Sequence, residues 1–140
     1  MMKIRLTLMV IALPVIGYSD EPGAAQVQND TAITQKIVGT WKVDETTPNG
    51  IKALGFVSIK KDGTFTSKGS LTQGDNRIDL DFAGRWQVDG GILTETVTAS
   101  SHTNLPPIGY VSHDKILKVD DQHLVYQTDK GKVVDRKRVE

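Results

Sequence analysis

The sequence of 140 residues contains no cysteine, which excludes a disulfide framework, thiolate metal ligands, a cysteine nucleophile and a lipid-modified cysteine. Packing and hydrogen bonding must hold the fold. No sign of charge dominates: Lys plus Arg and Asp plus Glu each number 17, so no overall field draws in nucleic acid or acidic substrates. A phosphate-cradling glycine loop, a His-Glu-x-x-His pair, a Gly-x-Ser-x-Gly elbow and a dinucleotide fingerprint are all missing. His102, His113 and His123 stand apart, without metal-ligand spacing. No metal, cofactor or enzymatic activity is therefore expected, since no acid, base or nucleophile is assembled. Aromatic residues are scarce, with Trp 2, Tyr 3 and Phe 3, so the place of each one matters to a core.

Long apolar runs are also lacking, apart from Leu6 to Ile16 near the start. Lys3 and Arg5 precede that run, and the small residues Gly17 and Ser19 follow it, the pattern of a secretory signal. It falls short of the roughly 20 apolar residues that a spanning helix needs. Residues 1–19 are expected to be a cleaved signal peptide, with Ala25 as the alternative end. Without Lys3 and Arg5 the chain keeps 15 basic residues against 17 acidic ones. The expectation is a periplasmic or secreted protein with no stable membrane anchor after cleavage, the other reading being an uncleaved anchor. Residues 20–30 hold little apolar material and are read as a linker. Asp30 or Thr31 is placed to cap a short helical turn ending at Ile37.

What is present is period-two alternation, the mark of strands with one buried face. In Ile37 to Asp44, Trp41 and Val43 oppose Thr40, Lys42 and Asp44. The pattern Gly-x-Trp-x-Val-Asp returns at Gly84 to Asp89, which predicts that Trp41 and Trp86 plug one interior. Strands are expected over Ala53 to Lys60 and Thr64 to Thr72, joined by Lys61-Asp62-Gly63. In the first of these, Val57 and Ile59 compete with Leu54 and Phe56 for the inner face, and a bulge would let both pairs point inward. The cleanest alternation runs from Arg77 to Asp89, long enough to demand a bend near Ala83-Gly84 or a curved wall. Further strands follow over Ile92 to Ala99, Ile108 to Ser112 with a resumption at Lys115 to Val119, His123 to Thr128, and Val133 to Val139. Pro106-Pro107 belongs to an exposed loop. About eight short antiparallel strands make an all-β, up-and-down barrel over residues 31–140.

The order of Gly39-Thr40-Trp41, the Asp62-Gly63-Thr64-Phe65 hairpin, Gly84-Arg85-Trp86 with Asp89-Gly90-Gly91, and the basic run Asp135-Arg136-Lys137-Arg138 resembles small bacterial lipocalin-like barrels of the calycin group. The resemblance implies that Trp41 closes one end of the barrel against a basic residue of the last strand, either Arg136 or Arg138. It makes Gly39, Trp41, Gly84, Trp86, Arg136 and Arg138 structural. Eight strands enclose either a packed interior or room for one small ligand. Ser67, Gly69, Gly55 and Ala53 would leave space, whereas Trp41, Trp86, Phe65 and Phe82 would fill it. If Leu93 and Val97 face inward, so does Glu95, and a buried carboxylate needs a partner; the other register turns it to solvent. Glu95, Tyr110, Ser67, Phe65 and Tyr126 are the candidate ligand-lining residues. The expected function is a binding protein for a small, largely apolar ligand. The alternative is a protein-interaction module, such as a periplasmic enzyme inhibitor that works through its N-terminal segment or barrel-end loops.

Overall fold

The computed structural model describes residues 22–102 and 105–139, with side chains described from Asn29 onward. The expected signal peptide, residues 1–19, lies outside the described residues. One helix, α1 (Pro22–Ile37), precedes eight strands: β1 (Gly39–Thr46), β2 (Lys52–Ile59), β3 (Thr64–Gln73), β4 (Asn76–Asp89), β5 (Ile92–Ser100), β6 (Val111–Val119), β7 (His123–Gln127) and β8 (Val133–Lys137). Each strand pairs antiparallel with the next in sequence order. The result is an all-β, up-and-down, nearly closed barrel consistent with a lipocalin-like fold.

The strands form where alternation is strong, and their turns follow from local chemistry. Asp62 accepts hydrogen bonds from the Thr64 amide at 3.0 Å and the Thr64 hydroxyl at 2.6 Å, which tightens the β2–β3 turn. Asp120 does the same for the β6–β7 turn through the amides of Gln122 and His123, at 2.8 and 2.7 Å. These amides hold the Asp120 carboxyl down at about 2.

Pairing of β2 with both neighbours is regular, so no bulge rescues Leu54 and Phe56, which face solvent while Ile59 is buried. The bulge falls instead in β5. Ala83 pairs with Ala99 and Gly84 with Val97, which leaves Thr98 extra and turns Ala99 outward. The shift falls at Ala83-Gly84 of the long β4, where a bend or a curved wall was expected. Strand β6 runs unbroken through His113-Asp114 rather than in two pieces, and Ile108 and Gly109 lie in a turn before it.

Helix α1 begins at Pro22 rather than at Asp30 or Thr31, so helical geometry extends through most of the segment read as a linker. Proline suits a first helical turn, and Ala24, Ala25, Gln26 and Gln28 favour the helix that follows. Asp30 is not its cap. Its two carboxylate oxygens accept hydrogen bonds from the amides of Gly90 and Gly91, both at 2.8 Å, and so pin the helix to the β4–β5 turn. Ile33 is half-buried and Ile37 fully buried against the barrel.

The core gathers at this end. Trp41, Ile37, Ile59, Phe65, Trp86, Leu93 and Leu124 share one buried cluster. Each indole nitrogen has a carbonyl: Trp41 donates to Ile37 at 2.9 Å and Trp86 to Lys60 at 2.8 Å. Arg138 completes the closure. Its guanidinium lies 4.2 Å from the centroid of the Trp41 ring and donates to the carbonyls of Lys36, Val38 and Asp120 at 2.5, 2.7 and 3.3 Å. A cation at the C-terminus of α1 meets carbonyls with no helical partner and the negative end of the helix dipole. Gly39, at φ 146°, leaves room for that guanidinium, because a Cβ there would collide with Arg138 Nη1.

Candidate functional site

Away from the closed end the barrel is not filled. A cavity of about 1370 Å³ opens between the loops that join β1 to β2, β3 to β4, β5 to β6 and β7 to β8. Small inward residues make the space, as expected: Ala53, Gly55, Ser67 and Gly69 all line it. Gly55 and Gly69 are direct cross-strand partners, and a Cβ on either would strike the other strand's backbone.

The two walls differ in chemistry. Strands β2, β3 and β4 supply an apolar wall that includes Val57, Phe65, Leu71, Ile78, Leu80 and Phe82. Phe65 and Phe82 meet edge to face, with ring centroids 6.2 Å apart. Across from them, β1 and β5 to β8 present Glu45, Glu95, Ser112, Asp114, Tyr126 and Arg136, with Tyr110 just before β6. Leu105 and Pro106 are half-buried at the mouth, while Pro107 is exposed.

All five candidate lining residues, Glu95, Tyr110, Ser67, Phe65 and Tyr126, face this cavity. Glu95 is inward because Leu93 and Val97, both buried, share its face. Trp86 is its cross-strand partner on β4 and Ser112 its partner on β6. Burial raises the Glu95 carboxyl to about 7, against a smaller opposing pull from Arg136. Asp114 is 6% exposed and is likewise raised to about 7, first by burial and then by the charge of Glu95. Tyr110 is pushed up to about 12 by burial, with Asp129 and Asp114 adding to it. Tyr126 moves up for the same first reason. Both phenols therefore keep their protons at neutral pH.

Arg136 is the cation of this wall. It does not pack on Trp41; that place belongs to Arg138. Its Nε donates to the Tyr126 hydroxyl at 2.8 Å, and its Nη2 lies 2.9 Å from Glu45 Oε1, within ion-pair reach but off the angle of a hydrogen bond. Burial works against its charge, yet Tyr126, Glu45 and Glu95 outweigh burial and raise its pKa. Lys132 approaches the other oxygen of Glu45 at 3.6 Å. These side chains span a seam where, among the described residues, β8 meets β1 through one bridge, Trp41 with Arg138, and the hydrogen bond from the Val139 amide to the Thr40 carbonyl.

Sequence reasoning missed Glu45 and Asp114. Glu45 continues the Trp41, Val43 alternation by one step, beyond the expected end of its strand. Asp114 continues Ser112 toward Ile116, across a pair of residues read as a break.

The three histidines lie on separate parts of the surface. His102 Nε2 is 2.9 Å from the Asp79 carbonyl, His113 Nδ1 is 3.3 Å from the Thr94 hydroxyl, and His123 Nδ1 is 2.9 Å from Asp135. Among the described residues no group of three His, Cys, Asp or Glu side chains is arranged to hold a metal. No described helix is long and apolar enough to cross a membrane. The outer face of β4 carries Arg77, Asp79, Asp81, Arg85 and Asp89, unlike the apolar band of a membrane-spanning barrel.

Fold and site together define an eight-stranded, nearly closed barrel with a two-sided cavity, a fold compatible with ligand binding. Comparison with known protein families, with curated proteins and with solved structures finds no match.

Proposed function

We propose that this chain is an exported, lipocalin-like binding protein that holds one small, largely apolar molecule in its barrel. The observation that carries this reading is the cavity of about 1370 Å³ with an apolar wall facing a polar one. Binding sites for small molecules combine this kind of apolar lining with a few placed polar groups. An apolar body would lie along β2 to β4, where it displaces water from Phe65, Leu80 and Phe82. A polar group on the same molecule would meet Glu95, Tyr110 or Tyr126. Export follows from the charged start and short apolar run at the N-terminus.

Titration of the purified chain with an uncharged, environment-sensitive apolar dye tests the proposal. Saturable one-site binding is expected, and Ser67→Trp, which fills the middle of the cavity, should weaken it by at least about tenfold. Binding that does not saturate, or that Ser67→Trp leaves intact, would place the dye outside the barrel and end this reading.

A further inference from the structure

We infer that the molecule carried in the barrel is an apolar amine, whose protonated nitrogen seats between Glu95 and Asp114. The inference rests on the container reading above and adds to it the chemical class of the ligand.

Three inward carboxylates, Glu45 on β1, Glu95 on β5 and Asp114 on β6, share the cavity with one inward guanidinium. Arg136 is already committed, to Glu45 at 2.9 Å and to the Tyr126 hydroxyl at 2.8 Å, and Lys132 adds a second cation near Glu45. Glu95 and Asp114 feel the charge of Arg136 but receive no hydrogen bond from it. Neither makes a hydrogen bond or ion pair among the described residues, although Asp114 is 94% buried and both face the cavity. A carboxylate this buried is costly without a donor, and two side by side are costlier.

Strand pairing sets their spacing. Glu95 is opposite Ser112 and Asp114 is opposite Leu93, so the two acids are diagonal neighbours on one inward face. Diagonal positions lie roughly 7 Å apart, a span that one ammonium with three donors bridges. A carboxylate or phosphate in the same place would add a further negative charge to the wall. Arg136 Nη1 and the Tyr110 hydroxyl, both buried and without a hydrogen-bond partner among the described residues, belong to the same cavity lining and suit a neutral oxygen on the same molecule.

The surroundings also give the binding a pH dependence. Facing the two acids are Glu45 from β1, Tyr110 ahead of β6, Tyr126 from β7, Asp129 from the following turn, and Arg136 and Lys132 from β8 and its approach. The inward faces of β2, β3 and β4 carry no charged side chain, and the two cations of these strands that border the cavity, Lys68 and Arg77, are paired outside with Asp81 and Asp79. In the empty barrel Glu95 and Asp114 release their protons near pH 7, whereas an alkylamine stays charged to roughly pH 10. Affinity therefore rises between pH 5 and pH 8.

The test titrates the full chain with decylamine, decanol and decanoate, each below its micellar concentration, by displacement of an uncharged apolar dye. At pH 8 decylamine should bind at least about tenfold tighter than decanol, with decanoate weakest, and the amine's advantage should shrink at pH 5. Asp114→Asn should reduce that advantage and Glu95→Gln with Asp114→Asn should erase it, with circular dichroism reporting on the fold. Decanoate binding tightest, an amine no better than decanol, or an advantage that survives in a folded double variant would overturn the amine assignment and leave the container standing. Failure of all three to displace the dye would overturn both.

Discussion

Arg136 and Arg138 sit two residues apart on the same inward face at the end of the chain, and they live in opposite surroundings. Arg138 lies under the closed end, over the Trp41 ring and against three backbone carbonyls, and makes no ion pair among the described residues. Arg136 lies one step toward the mouth, against Glu45 and Tyr126 and within the field of Glu95 and Asp114. The first arginine serves uncharged acceptors that do not titrate. The second serves acids whose charge depends on pH. Latch and cavity cation thus differ only in depth along one strand, and depth decides which groups each must satisfy.

The largest expected effect falls on the closed end. Trp41→Ala removes a fully buried ring from the main cluster and should cost about 3–5 kcal/mol, read as a lower urea midpoint at every pH. A loss below about 1 kcal/mol would mean that this end is not the barrel's anchor.

Next comes the direct contrast between the arginines. Arg138→Ala gives up its carbonyl hydrogen bonds and ring contact and should cost about 2–3 kcal/mol, equally at pH 5 and pH 8. Arg136→Ala should cost less at pH 5, where Glu95 and Asp114 are protonated, than at pH 8, where they lose the guanidinium that opposes their charge. Denaturation curves at the two pH values decide the matter, and parallel losses for both variants would erase the distinction.

The acids themselves should move stability the other way. The folded pKa of Asp114, about 7, lies above its ordinary value near 4, so the native state binds more protons than the unfolded chain between those values. Its contribution to stability is greatest below pH 4 and is lost as the pH rises through 7. Asp114→Asn should therefore raise stability by about 2 kcal/mol at pH 8, with the gain fading toward pH 5. A destabilised variant at pH 8 would show that the carboxylate has a partner in the folded protein.

The smallest effect belongs to the helix anchor. Asp30→Ala removes two hydrogen bonds to the β4–β5 turn and should cost about 1 kcal/mol, with faster hydrogen exchange at the amides of Gly90 and Gly91. Unchanged exchange there would mean that these two hydrogen bonds do not hold the turn to α1.

Much of this contrast was legible before the structure. Alternation through β4 placed Phe82, Gly84 and Trp86 inside, whereas Glu95 stood open between two registers until the burial of Leu93 and Val97 turned it inward. The small residues of β2 and β3 did open a space. Other features were hidden by events that alternation does not report. The extra residue Thr98 turned Ala99 outward, although its spacing from Val97 argued for the interior. Regular pairing left Leu54 and Phe56 in solvent, where hydrophobicity alone would have buried them. His113-Asp114 looked like a break because both residues are polar, and so the most buried acid of the cavity was overlooked. The length of α1 was underestimated because few apolar residues mark it; its ordering rests on a good helical composition and on Asp30, whose partners lie 60 and 61 residues away.

The sequence by itself determined which side chains of each strand turn inward, because a period of two is a local property of extended backbone. The structure then chose the inward register for Glu95 and put both Arg136 and Arg138 inside. Only the tertiary structure decided how deep each one sits, which arginine meets Trp41, and that Glu95 lies diagonal to Asp114. Depth depends on strand register and on the stagger needed to close the sheet, and these are set by all eight strands at once.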